Sequence, residues 1–209
     1  GLKITVSVSF KNTFTNINLM TAKHPNRYGV MAMVSEQDYD KFKPYRELLE
    51  PHTKFFMEKT FVDGIAPQHI SLCYFSYEEK YPEAIVESFI PKLKRILNRP
   101  IKIEVKGLKG WWELGWDHPV VCWNILDLDL VRKLHIQIIE LLKEDVEHFN
   151  DPDLTFDPHI GVAFLPDANV DIVKKIVEET KSDPVQTINL DSVYIYFPSG
   201  PRKVIDLSE

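Results

Sequence analysis

Cysteine is nearly absent from this chain. Cys73 and Cys122 are the only two in 209 residues, and both sit inside apolar runs rather than at loop spacings. That usage argues against a disulfide framework and for buried free thiols in a reducing compartment. No apolar run approaches the roughly 18 residues of a transmembrane helix, and no signal-peptide pattern follows Gly1. The expected location is cytoplasmic, with no membrane partner. Positive charge is short as well: 25 Lys and Arg stand against 31 Asp and Glu, a net charge of −6. Binding along an extended nucleic-acid duplex needs a basic face to displace counterions, so this balance argues against it. A small anionic ligand in a local basic pocket remains compatible. There is no glycine-rich phosphate loop, no G-x-S-x-G elbow, no H-E-x-x-H and no C-x-x-C.

What is present is an ordinary globular composition, 44% hydrophobic and 27% charged. A chain of this length buries roughly 70% of its unfolded surface, enough for one domain or two small lobes sharing a core. Leu2 to Phe10 alternates apolar and polar residues and predicts a strand. With the polar stretch that follows, it forms an N-terminal extension over residues 1–27, ahead of a domain over 28–209. Strands are expected at Tyr28 to Val34, Gln68 to Phe75, Ile101 to Leu108, Val120 to Ile125, Phe156 to Phe164, Val185 to Phe197 and Lys203 to Leu207. Helical spacing predicts a helix after the N-cap Ser35, one from Tyr81 to Leu97 bent or split by Pro91, one over Leu128 to Phe149, and one over Val170 to Lys181. Strands and helices interleave without strict alternation. That order suits an α+β fold with antiparallel sheets and helices packed on one face.

One internal echo carries chemistry. Gln68-His69-Ile70-Ser71-Leu72-Cys73-Tyr74-Phe75 matches Pro158-His159-Ile160-Gly161-Val162-Ala163-Phe164-Leu165, His on His and Ile on Ile. Alternate residues of a strand share a face. His69, Ser71 and Cys73 are therefore expected on one side, with Ile70, Leu72 and Tyr74 on the other. The second run divides the same way, His159, Gly161 and Ala163 against Ile160, Val162 and Phe164. Two such strands related by a pseudo-two-fold aim both imidazoles at one substrate. A lone strand histidine is more often structural than catalytic; a matched pair about 90 residues apart favours function.

The pair resembles the 2H phosphoesterase superfamily, in which two H-x-S/T-x motifs on the central strands of a bilobal fold form the site. Val193-Tyr194-Ile195-Tyr196 with Ser199-Gly200-Pro201-Arg202 resembles the closing hairpin of its LigT-type, or RNA 2',3'-cyclic phosphodiesterase, branch. Pro119 to Ile125 with Leu134-His135 resembles that branch's central strand and following helix. The resemblance covers most of residues 28 to 207. It implies two pseudo-symmetric lobes with two antiparallel sheets, helices outside, and a phosphodiesterase with neither metal nor cofactor. His69 and His159 become the acid/base pair, since imidazole titrates near neutral pH, and Ser71 a donor to a phosphate oxygen.

Gly161 departs from the pattern, standing where the family carries Ser or Thr. Losing a donor to a developing charged oxygen costs about 10²- to 10³-fold in rate at comparable sites. A bulge or a close backbone approach also accounts for a glycine there. Arg202 is a candidate phosphate or base contact, with Lys203 beside it. Trp116, in a cluster with Trp111 and Trp112, and Tyr196 are candidates for stacking a base. A metal site from His69, His159 and His52 or His118 would reuse the same side chains, but no ligand spacing supports it. The expected substrates are RNA ends carrying a 2',3'-cyclic phosphate or another small nucleotide phosphodiester. Cleavage of 2'-5' oligoadenylate or a cyclic oligonucleotide is the alternative, and a degenerate nucleotide-binding module is a third reading. The chain is expected to be a monomer.

Overall fold

The computed structural model describes residues 26–62, 65–78, 83–112, 118–150, 156–166 and 168–208. The strand expected over Leu2 to Phe10 lies outside them. In chain order the strands are β1 (Asn26–Val34), β2 (Phe55–Phe56), β3 (His69–Tyr77), β4 (Ile101–Trp111), β5 (Val120–Ile125), β6 (His148–Phe149), β7 (Gly161–Phe164), β8 (Gln186–Phe197) and β9 (Gly200–Asp206). The helices are α1 (Glu36–Tyr39), α2 (Lys43–Leu49), α3 (Glu83–Glu87), α4 (Phe89–Ile96), α5 (Leu128–Leu142) and α6 (Val170–Glu179).

Local chemistry explains most boundaries. The Ser35 hydroxyl accepts from the Asp38 amide at 3.3 Å and starts α1. Pro91 has no N–H to return to the preceding turn, and the helix expected across it breaks at Ser88 into α3 and α4. Asp127 and Asn169 cap α5 and α6 with their side chains. The long helix expected over Leu128 to Phe149 ends at Leu142, because His148–Phe149 instead pairs with β3 at Ser76 and Phe75.

All strand pairs are antiparallel, in the order β2-β7-β5-β4-β8-β1-β3-β6, with β9 on β8. The two expected sheets are continuous, because Ile101–Val105 of β4 pairs with Gln186–Leu190 of β8. One face of this sheet carries the core, where Val30, Ile70, Leu72, Phe75, Trp123, Ile160, Val193 and Ile195 are essentially inaccessible and the helices cover them. Both cysteines are free and buried, and burial pushes both thiols up to about 12.

Five β-bulges interrupt the strand pairings, in β3, β4, β7, β8 and β9, and those in β3, β7 and β4 re-aim side chains around the histidine runs. In β3, Cys73 pairs with Val30 but Ser71 with Met31, so one extra residue is absorbed at Leu72. Cys73 joins the core, and Tyr74 moves to the face of Ser71 and His69. In β7, Ala163 pairs with Val121 but Gly161 with Cys122, which absorbs Val162. Ala163 therefore lies in the main core and Phe164 on the other face with Val120 and Cys122. The predicted partition of both runs is corrected at the same point, and the pseudo-symmetry survives the correction. The third bulge lies in β4 between Val105 and Leu108. Gly107 adopts φ 63 there, and an added Cβ would lie 2.2 Å from the Thr180 carbonyl oxygen. Beyond it β4 continues past the predicted end at Leu108, turning Lys109 and Trp111 toward the face that holds Cys122 and Val120.

Candidate active site

The two histidine runs meet through one contact, with His69 opening β3 and His159 two residues ahead of β7. Ile70 and Ile160, the residues that follow the histidines, form an isolated antiparallel bridge. Antiparallel register then sets His69 opposite Gly161 and Ser71 opposite His159. The expected two-fold relation of the motifs is thus realised as a direct crossing.

Each imidazole is fixed in the same way. His69 Nδ1 lies 2.7 Å from the Pro67 carbonyl oxygen, and His159 Nδ1 lies 3.1 Å from that of Asp157. A carbonyl only accepts, so in both rings Nδ1 carries the proton and Nε2 the lone pair. Pro67 and Asp157 thus each present a carbonyl two residues before a histidine. Burial pulls the His69 imidazole down to about 4, against the favourable Pro67 bond, and the neighbouring His159 charge lowers it further. His159 is likewise held below the usual imidazole range by burial, partly offset by the Asp157 carbonyl and carboxylate. The Trp111 ring packs on His159 at 4.3 Å between centroids.

Helix α5 holds the approaches to both motifs. His135, the residue of the predicted Leu134-His135 pair, donates from Nδ1 to the Leu72 carbonyl at 2.7 Å, at the β3 bulge. Its ring stacks on Phe156 at 3.9 Å. Arg132 Nε donates to the Phe156 carbonyl at 3.2 Å, just before Asp157 and His159.

Gly161 is buried, but neither its backbone nor its surroundings require glycine. Its φ is not in the left-handed region, and an added Cβ would have Val120 Cγ1 at 3.8 Å as its nearest neighbour. The expectation of a close backbone approach is corrected; the bulge beside it is present. The Ser71 hydroxyl lies 2.7 Å from the Tyr74 hydroxyl.

The outlying candidates divide. Tyr196 shares a row with Gly29 and Tyr74 on the face of the histidines, and burial raises its phenol. Arg202 is placed elsewhere. It pairs with Ile195, a core residue, and so takes the helix side of the sheet. There it meets Glu87 at 3.0 Å and Glu83 at 3.4 Å and stacks over Phe197 at 3.6 Å. Lys203, one residue on, pairs with Tyr194 and takes the site side. It borders a cavity of about 310 Å³ lined also by Met33, Phe61, Pro67, Asp191 and Tyr194. Trp116 lies outside the described residues. Among the described residues no three His, Cys, Asp or Glu side chains cluster to hold a metal, and no helix is long and apolar enough to cross a membrane.

Tyr74, Lys109, Tyr194 and Lys203 complete this face. The alternation of β8 carries the signal for Tyr194, whereas Lys203 reaches this face only because a bulge at Val204 breaks its alternation with Ile205. Tyr74 and Lys109 likewise stand beyond bulges and had no such signal.

No protein-family model and no curated protein matches the sequence. Solved structures do match the fold. TT0787 of Thermus thermophilus superposes with a TM-score of 0.55 at 14% identity, over 88% of this chain and 99% of that one. E. coli LigT in its apo form gives a TM-score of 0.53 at 11% identity, over 89% and 99%. A structure described as a phosphoesterase gives 0.53 at 11%, over 88% and 99%. With the antiparallel sheet, the outer helices and the crossed histidine runs, these likenesses establish that the chain has the LigT-like α+β fold.

Proposed function

We infer that this protein is a phosphodiesterase acting on a small nucleotide phosphodiester through His69 and His159, with RNA ends bearing a 2',3'-cyclic phosphate as its first substrate class. The observation that carries this reading is the crossing at Ile70 and Ile160. It brings together two imidazoles of the same tautomer, each held by a carbonyl two residues earlier. In-line hydrolysis needs such a pair. One Nε2 takes a proton from the attacking water while the water oxygen bonds to phosphorus. The other imidazole, protonated, gives its proton to the ribose oxygen as the bond from phosphorus to that oxygen breaks. Ser71, opposite His159, donates to a non-bridging oxygen. Lys109 and Lys203 supply positive charge on the same face, in place of the Arg202 that the sequence suggested.

Nucleotide binding in the fold relatives supports the substrate class. E. coli LigT has been crystallised with ATP, with 3'-AMP and with NADP+. The cavity beside Pro67, walled by Phe61 and Tyr194, has the aromatic lining that stacks a base. Product analysis on an RNA ending in a 2',3'-cyclic phosphate, a 2'-5' oligoadenylate and a cyclic dinucleotide tests this directly. Hydrolysis of the first in chelator supports the reading; hydrolysis of either other member alone reassigns the substrate. Gly161 favours one other reading, a nucleotide binder without turnover, which predicts affinity for 3'-AMP and no product.

A further inference from the structure

The two crossed motifs do not contribute equally. Position 161 has no hydroxyl, and Phe164, the pseudo-symmetric counterpart of Tyr74, has none either. Both hydroxyls available from the pair therefore come from β3. Three features hold Tyr74 where it is. The bulge at Leu72 turns it to the site face, with the Leu72 carbonyl held by His135 at 2.7 Å. Gly29 leaves room for its ring: an added Cβ there would lie 2.8 Å from Tyr74 Cε1. The Arg27 guanidinium covers the ring at 4.2 Å from its centroid. Ring and backbone being fixed, the Tyr74 hydroxyl is set 2.7 Å from Ser71 Oγ.

We propose that Tyr74 is a positioning residue for phosphate, acting through Ser71. The phenol is the more acidic of the two hydroxyls and the better donor, so it donates to Ser71 Oγ. The serine's own proton is then turned away from Tyr74 and toward the substrate oxygen. Hydrogen bonds in such a chain polarise one another, which strengthens the donor that faces the ligand. Tyr74 thus supports the single hydroxyl left by the glycine at 161. This rests on the phosphodiesterase reading for its site, and its test separates the two.

The experiment is a double-mutant cycle of Tyr74→Phe and Ser71→Ala, which isolates the coupling between neighbours. Tyr74→Phe removes one oxygen and keeps the ring between Gly29 and Arg27. It is expected to lower kcat on the cyclic-phosphate RNA about tenfold, with KM changed less and the melting temperature within a few degrees. In the Ser71→Ala background the same change is expected to cost less than about twofold. An equal loss in both backgrounds, or none in either, overturns the proposal. Calorimetric affinity for 3'-AMP gives a readout independent of turnover. Binding without turnover sinks the hydrolase reading while the same cycle, read in Kd, still decides on Tyr74. Neither turnover nor 3'-AMP binding overturns both.

Discussion

Ile70 pairs with Ile160, and this contact decides which functional groups of the two motifs face each other. Neither isoleucine touches chemistry. Both are wholly buried core residues, so the packing that stabilises the crossing also fixes the relation of His69 to Gly161 and of Ser71 to His159. Enlarging or trimming either side chain should disturb the site through geometry rather than through charge.

Removing either imidazole tests the acid/base assignment. His69→Ala and His159→Ala should each lower kcat by about 10² to 10⁴, the usual range for one general acid or base. Both variants should keep 3'-AMP binding within an order of magnitude. A single histidine variant with near wild-type kcat would remove that residue from the mechanism.

The pH dependence follows from burial. His69 is drawn down to about 4 and His159 below the ordinary imidazole value of about 6.5. As a coupled pair they should place both limbs of the kcat/KM profile, which reports the free enzyme, on the acid side of 6.5. A bound phosphodiester is anionic and favours imidazolium, so the kcat profile should be displaced to higher pH. Folding should respond in the same window. The folded state binds fewer protons than the unfolded one there, so stability is lost as pH falls from about 6.5 toward 4. Replacing both histidines with glutamine should flatten that loss. A kcat/KM profile centred well above pH 7 would count against both assignments.

Position 161 has space for a hydroxyl, since the nearest atom to an added Cβ is 3.8 Å away. Gly161→Ser should fold normally and raise kcat, by no more than about 10²- to 10³-fold, the value of one oxyanion donor. Steady-state kinetics with a parallel melting curve checks this. A fall in kcat with an unchanged melting temperature would mean that the glycine serves substrate access.

Arg202 and Lys203 separate cleanly because neighbouring strand residues face opposite sides. Arg202→Ala should leave kcat and KM unchanged and cost about 1 kcal/mol or less, since its ion pairs with Glu83 and Glu87 are half exposed. Lys203→Ala should raise KM several-fold with little effect on stability. The opposite pattern would return the phosphate contact to Arg202.

Much of this was legible from residue order. The histidine echo located both catalytic candidates and the strand that carries His69; the strand expected from Phe156 begins only at Gly161, so His159 stands just ahead of β7, next to the bridge at Ile160. The break near Pro91 and the capped start at Ser35 followed from backbone chemistry. Side-chain facing was legible only up to each bulge. Strict alternation assigns Cys73 and Ala163 to the site, yet one absorbed residue in each strand exchanges them for Tyr74 and Phe164. A bulge depends on how two distant strands register, which no local pattern encodes. Gly107, with its positive φ, was the nearest thing to a signal for the bulge in β4. Arg202 failed for a related reason: the turn residues suggested exposure at the site, while pairing with Ile195 sends the side chain to the helix face.

The proposed activity requires that two crossed histidines hydrolyse a nucleotide phosphodiester without a metal. Mass-spectrometric product analysis decides it, with the wild type and a His69→Ala, His159→Ala double variant both run in EDTA on RNA ending in a 2',3'-cyclic phosphate. The expected result is a product gaining one water in the wild type alone. Equal product from the double variant, or activity that EDTA abolishes and a divalent metal restores, would refute the two-histidine mechanism.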